Sequence, residues 1–429
     1  MKISISGIRG IYGEDFLAKD IIKFCKGFSN LIKDGKCVIG RDTRPHGKII
    51  KNLVSATLLE RGIDVFDLGI IPTPVVFREA KKIGAGIVIT SSHNPIDWNG
   101  LKFIINGRGI TENELELVMR NENFEKVKFG KETNLFSNYV NDAKKIIGKI
   151  ENSPEVTIDI GGGAAKKIAP KLLQEIGCQI TQINQELDGC SRGPDPTSDD
   201  LDELVRKTKN IGFAFDLDSD RVVLVINGKK KSSDLTLALG VVKAIKLGIK
   251  KFVLSLDSSL GVEKYIIKNG GKVWRSKVGE ANVIQKMIEK DADAGGEGSS
   301  GGFILRDFNM CRDGLLTSGL ISSMINDKTI LKDIKFFENF FQIRDKISIE
   351  SNMHEKILGD VSKILQEKYE ISKLDGIKIK IDDDSWSLIR KSNTEDIIRI
   401  SSESNNDDMA KKIQNEMLQI VESCYEKAK

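Results

Sequence analysis

Apolar and polar positions fall into blocks along the first 335 residues, and the blocks repeat. A short apolar strand is followed by Asp with small or polar residues, then by a helix-spaced segment, a Gly and a second strand. The order occurs in "CVIGRDTRPHGKIIKNLVSATLLERGIDVFDLG", in "VTIDIGGGAAKKIAPKLLQEIGCQITQIN" and in "FVLSLDSSLGVEKYIIKNGGKVWRSKVG", with Asp42, Asp159 and Asp257 in matching places. Gly62, Gly177 and Gly270 close the three helices. After about residue 335 the pattern changes to a helical "MHEKILGDVSKILQEKY", a strand-like "GIKIKID" and a last helix around Asp407 to Glu426. The expectation is an α/β chain: three related mixed α/β domains around a central cleft, plus a smaller α+β C-terminal domain. Expected boundaries are 1–147, 148–246, 247–335 and 336–429.

Each repeat continues into a further strand that ends in an unusual loop: "TSSHNP" at 90–95, "DLDSDR" at 216–221 and "GGEGSSGG" at 295–302. In open α/β sheets ligands collect at the carboxyl ends of strands, so equivalent loops from three domains can face one cleft.

The first loop sets Ser92 beside His93. Neighbours in an extended chain point to opposite sides, no G-x-S-x-G elbow surrounds Ser92, and the only other histidines are His46 and His354. A Ser-His-Asp hydrolase is therefore a poor fit. In the second loop Asp216, Asp218 and Asp220 alternate, which in an extended loop turns three hard oxygen ligands to one side and suits Mg²⁺. An EF-hand is excluded because Arg221 and Asn227 stand where Gly and Glu are required. The third loop spells G-x-G-x-x-G, but "GFILRDF" after it reads as a strand, so it opens no helix for a dinucleotide. What it offers is Glu297, Ser299 and Ser300, suited to a polyhydroxylated ligand. Finally, "RKSNTEDIIR" sets Arg390 and Arg399 with Ser392, Asn393 and Thr394, an anion cradle that fits phosphate.

A net charge of +4 on 429 residues supplies no field for nucleic acid or a membrane surface, so neither is expected as a partner. The six cysteines, Cys25, Cys37, Cys178, Cys190, Cys311 and Cys424, form no C-x-x-C pair. That argues against zinc and a disulfide framework, and for reduced thiols in the cytoplasm. No apolar run reaches the ~18 residues needed to span a bilayer.

Taken together, "SGIRG", "GRDTR", "SSHNP", "DLDSDR", "GGEGSSGG" and "RKSNTED" resemble, in order and along the full chain, the α-D-phosphohexomutases, which exchange phosphate between C6 and C1 of a hexose. The resemblance implies that Ser92 is carried as a phosphoserine and that it and the three aspartates hold Mg²⁺. It also implies a hexose 1,6-bisphosphate that serves as intermediate and activator, and a small phosphosugar as partner. A homo-oligomer is compatible with the sequence. Three carboxylates, a phosphoserine of about −2 and one Mg²⁺ leave about −3, so cations must crowd the site, and Arg9, Lys102 and Arg221 are the candidates. By resemblance Lys102 is also a general acid or base, and His93 orients the loop or contacts phosphate.

Many bacterial relatives place histidines in the third-domain loops, where this chain has Glu280 and Gly301. The acid/base candidates are therefore Lys102, Glu280 and Lys277, in that order. The spelling "GGEGSSGG...CRDG" looks like archaeal members regarded as phosphoglucosamine mutases, which favours glucosamine phosphate over mannose or glucose phosphates. A phosphosugar-binding relative without turnover and a phosphatase are the alternatives.

Overall fold

The computed structural model describes residues 1–120, 128–189, 191–392 and 396–429. Cys190, Asn393 and Thr394 lie outside the described residues.

The repeat is realised strand by strand. In the first unit Lys36–Arg41 pairs in parallel with Asp64–Ile70 and with Ala85–Ile89, and the latter pairs antiparallel with Trp98–Ile105. Glu155–Asp159, Gln179–Ile183, Ile211–Phe215 and Val222–Ile226 reproduce that arrangement. So do Lys251–Ser255, Lys272–Ser276, Ala294–Glu297 and Gly302–Leu305. Inner strands Ala85–Ile89, Ile211–Phe215 and Lys251–Ser255 are buried almost throughout, which is why each reads as a near-continuous apolar run. Gly62, Gly177 and Gly270 all have positive φ where their helices end, a conformation that costs glycine little.

One consequence positions the site. All three unusual loops join the third strand of their unit to the antiparallel fourth, so they occupy one topological place. A continuous core holds the units together, running from Val76 and Phe77 through Ile158 and Phe213 to Leu237, Phe303 and Leu316. Helix Gly314–Ser322 sits inside it and is buried along its whole length, so it carries apolar and small residues on every side.

The fourth sheet is entirely antiparallel, in the order Phe341–Ser348, Ile397–Ser404, Trp386–Lys391, Ile377–Lys380, Ile371–Ser372. Helices His354–Gln366 and Asp407–Ala428 bury Ile357, Val361, Met417 and Val421 against Ile377, Ile379 and Ile400. The described cysteines are buried free thiols. Among the described residues no helix is long and apolar enough to cross a membrane.

Candidate active site

Ser92 lies at the end of strand Ala85–Ile89 and is buried, with φ +52°. The loop is therefore not extended there, which corrects the expectation that His93 points away. His93 Nδ1 comes to 3.5 Å from Ser92 Oγ, and Nε2 to 3.4 Å from Arg221 Nη2. A guanidinium can only donate, so Nε2 accepts and the ring proton sits on Nδ1, facing the serine. His93 is thus a donor to Ser92 and not its base. Burial, reinforced by Arg221, Arg9 and Arg312, holds its pKa well below the usual imidazole value and keeps it neutral.

A side chain that motif reading passed over fixes this loop. Arg44 is buried, pairs with Asp42 at 3.1 Å, and donates to the carbonyls of Ser92 at 2.7 Å, Asn94 at 2.6 Å, Trp98 at 2.7 Å and Pro95. Asp42 also accepts from Thr90 Oγ1 at 2.6 Å, which in turn accepts from the Ser92 amide at 2.8 Å. The "GRDTR" motif is a scaffold for the serine loop. Its signal was an Asp and an Arg two residues apart after a buried strand.

The aspartates of the second loop converge. Each offers an oxygen within 4.8 Å of the others, and all three are buried. They converge through a turn, with Ser219 at φ +61°, and not through the alternation of an extended segment. Asp216 accepts from Ser92 Oγ at 3.0 Å and from the Arg221 amide at 3.1 Å. Asp218 accepts from Thr73 Oγ1 at 2.6 Å and from Lys102 at 3.0 Å, and Asp220 from Lys102 at 3.0 Å. Asp218 Oδ1, Asp220 Oδ1 and the Ser219 hydroxyl are buried without a hydrogen-bond partner. Unpartnered buried carboxylate oxygens are costly unless a cation takes them, and a cluster of hard oxygens fits Mg²⁺.

Charge divides the triad. Burial, with Asp218 and Asp220, pushes the Asp216 pKa well above the usual carboxylate range. Burial also opposes the charge of Asp220, yet Arg312, Lys102 and Arg221 outweigh it and hold Asp220 well below that range. Lys102 loses hydration on burial, but Asp218 and Asp220 more than compensate and raise its pKa. Arg9 is half-buried on strand Gly7–Ile11, within the electrostatic reach of Asp218 and Asp220.

The third loop approaches from the other side. Glu297 is buried, its Oε1 accepting from the Gly279 amide at 2.7 Å and its Oε2 from Arg312 at 2.8 Å. Ser299 is half-buried and hydrogen-bonds Asp257, and buried Ser300 reaches the Glu297 carbonyl at 3.4 Å. Glu280 starts helix Glu280–Lys290 and binds Arg312, whereas Lys277 is exposed.

In the fourth domain Arg390 and Arg399 stand directly opposite on antiparallel strands, both half-buried. The amide of Ser392 donates to the Ile397 carbonyl at 3.0 Å beside them. Burial opposes the charge of Asp257, yet Arg344 and Arg390 outweigh it and hold the carboxyl below its ordinary range, and Ser299 of the third loop hydrogen-bonds it.

Comparisons with known proteins identify the family and the fold. Family models for the phosphoglucomutase/phosphomannomutase alpha/beta/alpha domains I, II and III match residues 1–126, 137–229 and 233–338, and that for the C-terminal domain matches 351–420. A probable phosphoglucosamine mutase of Methanosphaera stadtmanae is 34% identical over 96% of this chain and 97% of its own. A phosphoglucomutase/phosphomannomutase of Thermococcus kodakarensis is 32% identical over 94% and 95%. A Burkholderia thailandensis phosphoglucomutase/phosphomannomutase family protein shares the fold, with a TM-score of 0.84 at 23% identity over 98% of both chains. This chain belongs to the phosphoglucomutase/phosphomannomutase family of phosphohexomutases.

Proposed function

We propose that the protein interconverts a hexose 6-phosphate and its 1-phosphate, with glucosamine phosphate as the favoured sugar, Ser92 as the phosphoryl carrier and a hexose 1,6-bisphosphate as the intermediate. The observation that carries the reading is the meeting of Ser92 with the buried aspartate triad, 3.0 Å from Asp216, at the junction of two domains. Ser92 and the three aspartates would hold Mg²⁺, which when bound neutralises charge on the transferring phosphoryl group.

The chain's own side chains supply the rest. Ser92 gives its phosphoryl group to the free hydroxyl of the sugar phosphate, the bisphosphate turns around, and the other phosphate returns to Ser92. Arg9, Lys102 and Arg221 offset the negative charge around the serine, and the His93 Nδ1–H points at the serine oxygen. Because Asp218 and Asp220 keep Lys102 protonated, it acts as an acid and not as a base. Lys277 is exposed, which leaves Glu280 to take the proton of the sugar hydroxyl. Glu297, Ser299 and Ser300 face the sugar, while Arg390, Ser392 and Arg399 grip the phosphate that is not being transferred. Family resemblance extends that grip to Asn393 and Thr394.

A second reading, phosphomannomutase/phosphoglucomutase, is favoured by the Thermococcus relative of that name. The deciding experiment follows glucosamine, mannose and glucose phosphates by phosphorus NMR with Mg²⁺ and a catalytic amount of hexose 1,6-bisphosphate. Preferential interconversion of the glucosamine phosphates supports the proposal, and preference for mannose or glucose selects the second reading. Release of inorganic phosphate without isomerisation would make the protein a phosphatase.

A further inference from the structure

Arg312, in the "CRDG" segment, lies outside the three loops that follow the third strands, yet its guanidinium joins three carboxylates from three segments of chain. Nη2 donates to Asp220 Oδ2 at 2.7 Å, Nη1 to Glu297 Oε2 at 2.8 Å and Nε to Glu280 Oε2 at 3.1 Å. Its amide adds a second bond to Glu280 Oε2 at 2.9 Å. The side chain is buried. Three carboxylates around one guanidinium carry a net charge of −2 and would repel one another without it.

The surrounding chain is shaped to admit this side chain. A Cβ on Gly302 would lie 2.2 Å from Arg312 Cδ and 2.6 Å from Cγ, although the backbone of Gly302 is outside the left-handed region. Gly302 is therefore glycine for space and not for conformation, and the space holds the arginine stem. The far end of the link is anchored too, because Glu297 Oε1 takes the amide of Gly279, next to Glu280.

We infer that Arg312 is a positioning residue that sets the sugar loop, through Glu280 and Glu297, against the metal loop, through Asp220. The inference rests on the mutase reading. Arg312 and Lys102 together occupy Asp220 Oδ2 and leave Oδ1 without a hydrogen bond, with Arg221 Nε 3.9 Å away, so the carboxylate is oriented while one oxygen stays available. A planar fork can hold three carboxylates in one plane, whereas an ammonium on a flexible stem cannot fix their angles. Arg312 is itself a cation, so it is no metal ligand, and deleting it makes the aspartate site more negative.

These properties separate positioning from metal binding. In the full-length protein, Arg312→Lys and Arg312→Gln are expected to lower kcat/KM for the preferred sugar phosphate by about 100-fold or more, the scale of a misplaced reacting group. Gly302→Ala, which keeps the guanidinium but displaces its stem, should move in the same direction by about tenfold. Isothermal calorimetry should show Mg²⁺ binding within about threefold of wild type for Arg312→Lys and Gly302→Ala, which keep the positive charge, and as tight or tighter for Arg312→Gln, which removes it. Wild-type-like kcat/KM in both Arg312→Lys and Gly302→Ala overturns the inference. So does a loss of Mg²⁺ affinity as large as the loss of kcat/KM, since Arg312 would then only build the metal site. A wild-type protein that isomerises no sugar phosphate overturns the mutase reading first. Because the variants are compared with an active wild type, the two failures are told apart.

Discussion

Ser92 Oγ donates to Asp216 Oδ2 across 3.0 Å, though 124 residues separate the two in the chain. The serine comes from the first unit and the carboxylate from the second, each from the loop that follows the third strand of its unit. Replacing the serine therefore tests the shared site while leaving both sheets intact.

Ser92→Ala is expected to reduce mutase turnover by at least about a thousandfold, since among the described residues only the Ser92 hydroxyl binds Asp216 from the loop facing the triad, whereas Thr73 binds Asp218 from helix Thr73–Ile83. Intact-mass analysis after incubation with hexose 1,6-bisphosphate should show one added phosphate on the wild type and none on the variant. A phosphorylated Ser92→Ala protein would place the carrier elsewhere.

Lys102 tests the electrostatics from the other side. Its ammonium lies 3.0 Å from carboxylate oxygens of both Asp218 and Asp220 and competes there with any bound cation. Lys102→Met should bind Mg²⁺ at least as tightly as wild type by calorimetry, while kcat falls by about 100-fold or more for want of the acid. Weaker Mg²⁺ binding would mean that Lys102 organises the aspartates and does not compete with the cation.

The three-unit architecture was legible because each unit repeats its apolar strand, its helix and its closing glycine, and because the chemistry sits at the same step of each repeat. What could not be read was partnership. Arg44 lies in a motif that was visible, yet it acts on carbonyls about 50 residues away. Arg312 reaches a carboxylate 92 residues upstream, and no local pattern announces such a contact. The expectation that His93 cannot reach the serine hydroxyl failed for a backbone reason: alternation holds only in an extended chain, and Ser92 is left-handed. The same assumption gave the right convergence for the aspartates by the wrong route, since a turn at Ser219 brings them together.

Asp313 yields a pH prediction. It caps helix Gly314–Ser322, accepting from the Leu316 amide at 2.9 Å, Tyr139 Oη at 2.6 Å and Asn309 Nδ2 at 2.7 Å. Burial nevertheless raises its pKa to about 6 from an ordinary 3.8, its hydrogen bonds opposing the rise. Between those values the folded protein holds the proton and the unfolded chain has lost it, so this group's contribution to stability falls as pH rises from about 4 to 6. The full change is on the order of 3 kcal/mol. Asp313→Asn cannot ionise, so its melting temperature should gain on that of wild type across this interval and then run parallel above it. A difference that stays flat from pH 4 to 7 would show that Asp313 is ionised throughout.

The cradle in the C-terminal domain is the remaining test. Like charges directly opposite on antiparallel strands destabilise the pair, and Arg390 faces Arg399 in that way. Besides the attraction of Asp257, Arg390 has a 4.0 Å approach to Asp375 and a 3.3 Å bond to the Lys391 carbonyl, both modest for a half-buried guanidinium. An anion between the two arginines would convert the repulsion into a bidentate grip. Arg390→Ala should therefore raise KM for the sugar phosphate by about tenfold or more with kcat within about threefold, because in the proposed function this cradle holds the phosphate that is not transferred. Inorganic phosphate should raise the melting temperature of the wild type more than that of the variant. If kcat falls with KM unchanged, Arg390 acts on the transferring phosphate, and the geometry of the turned bisphosphate must be redrawn.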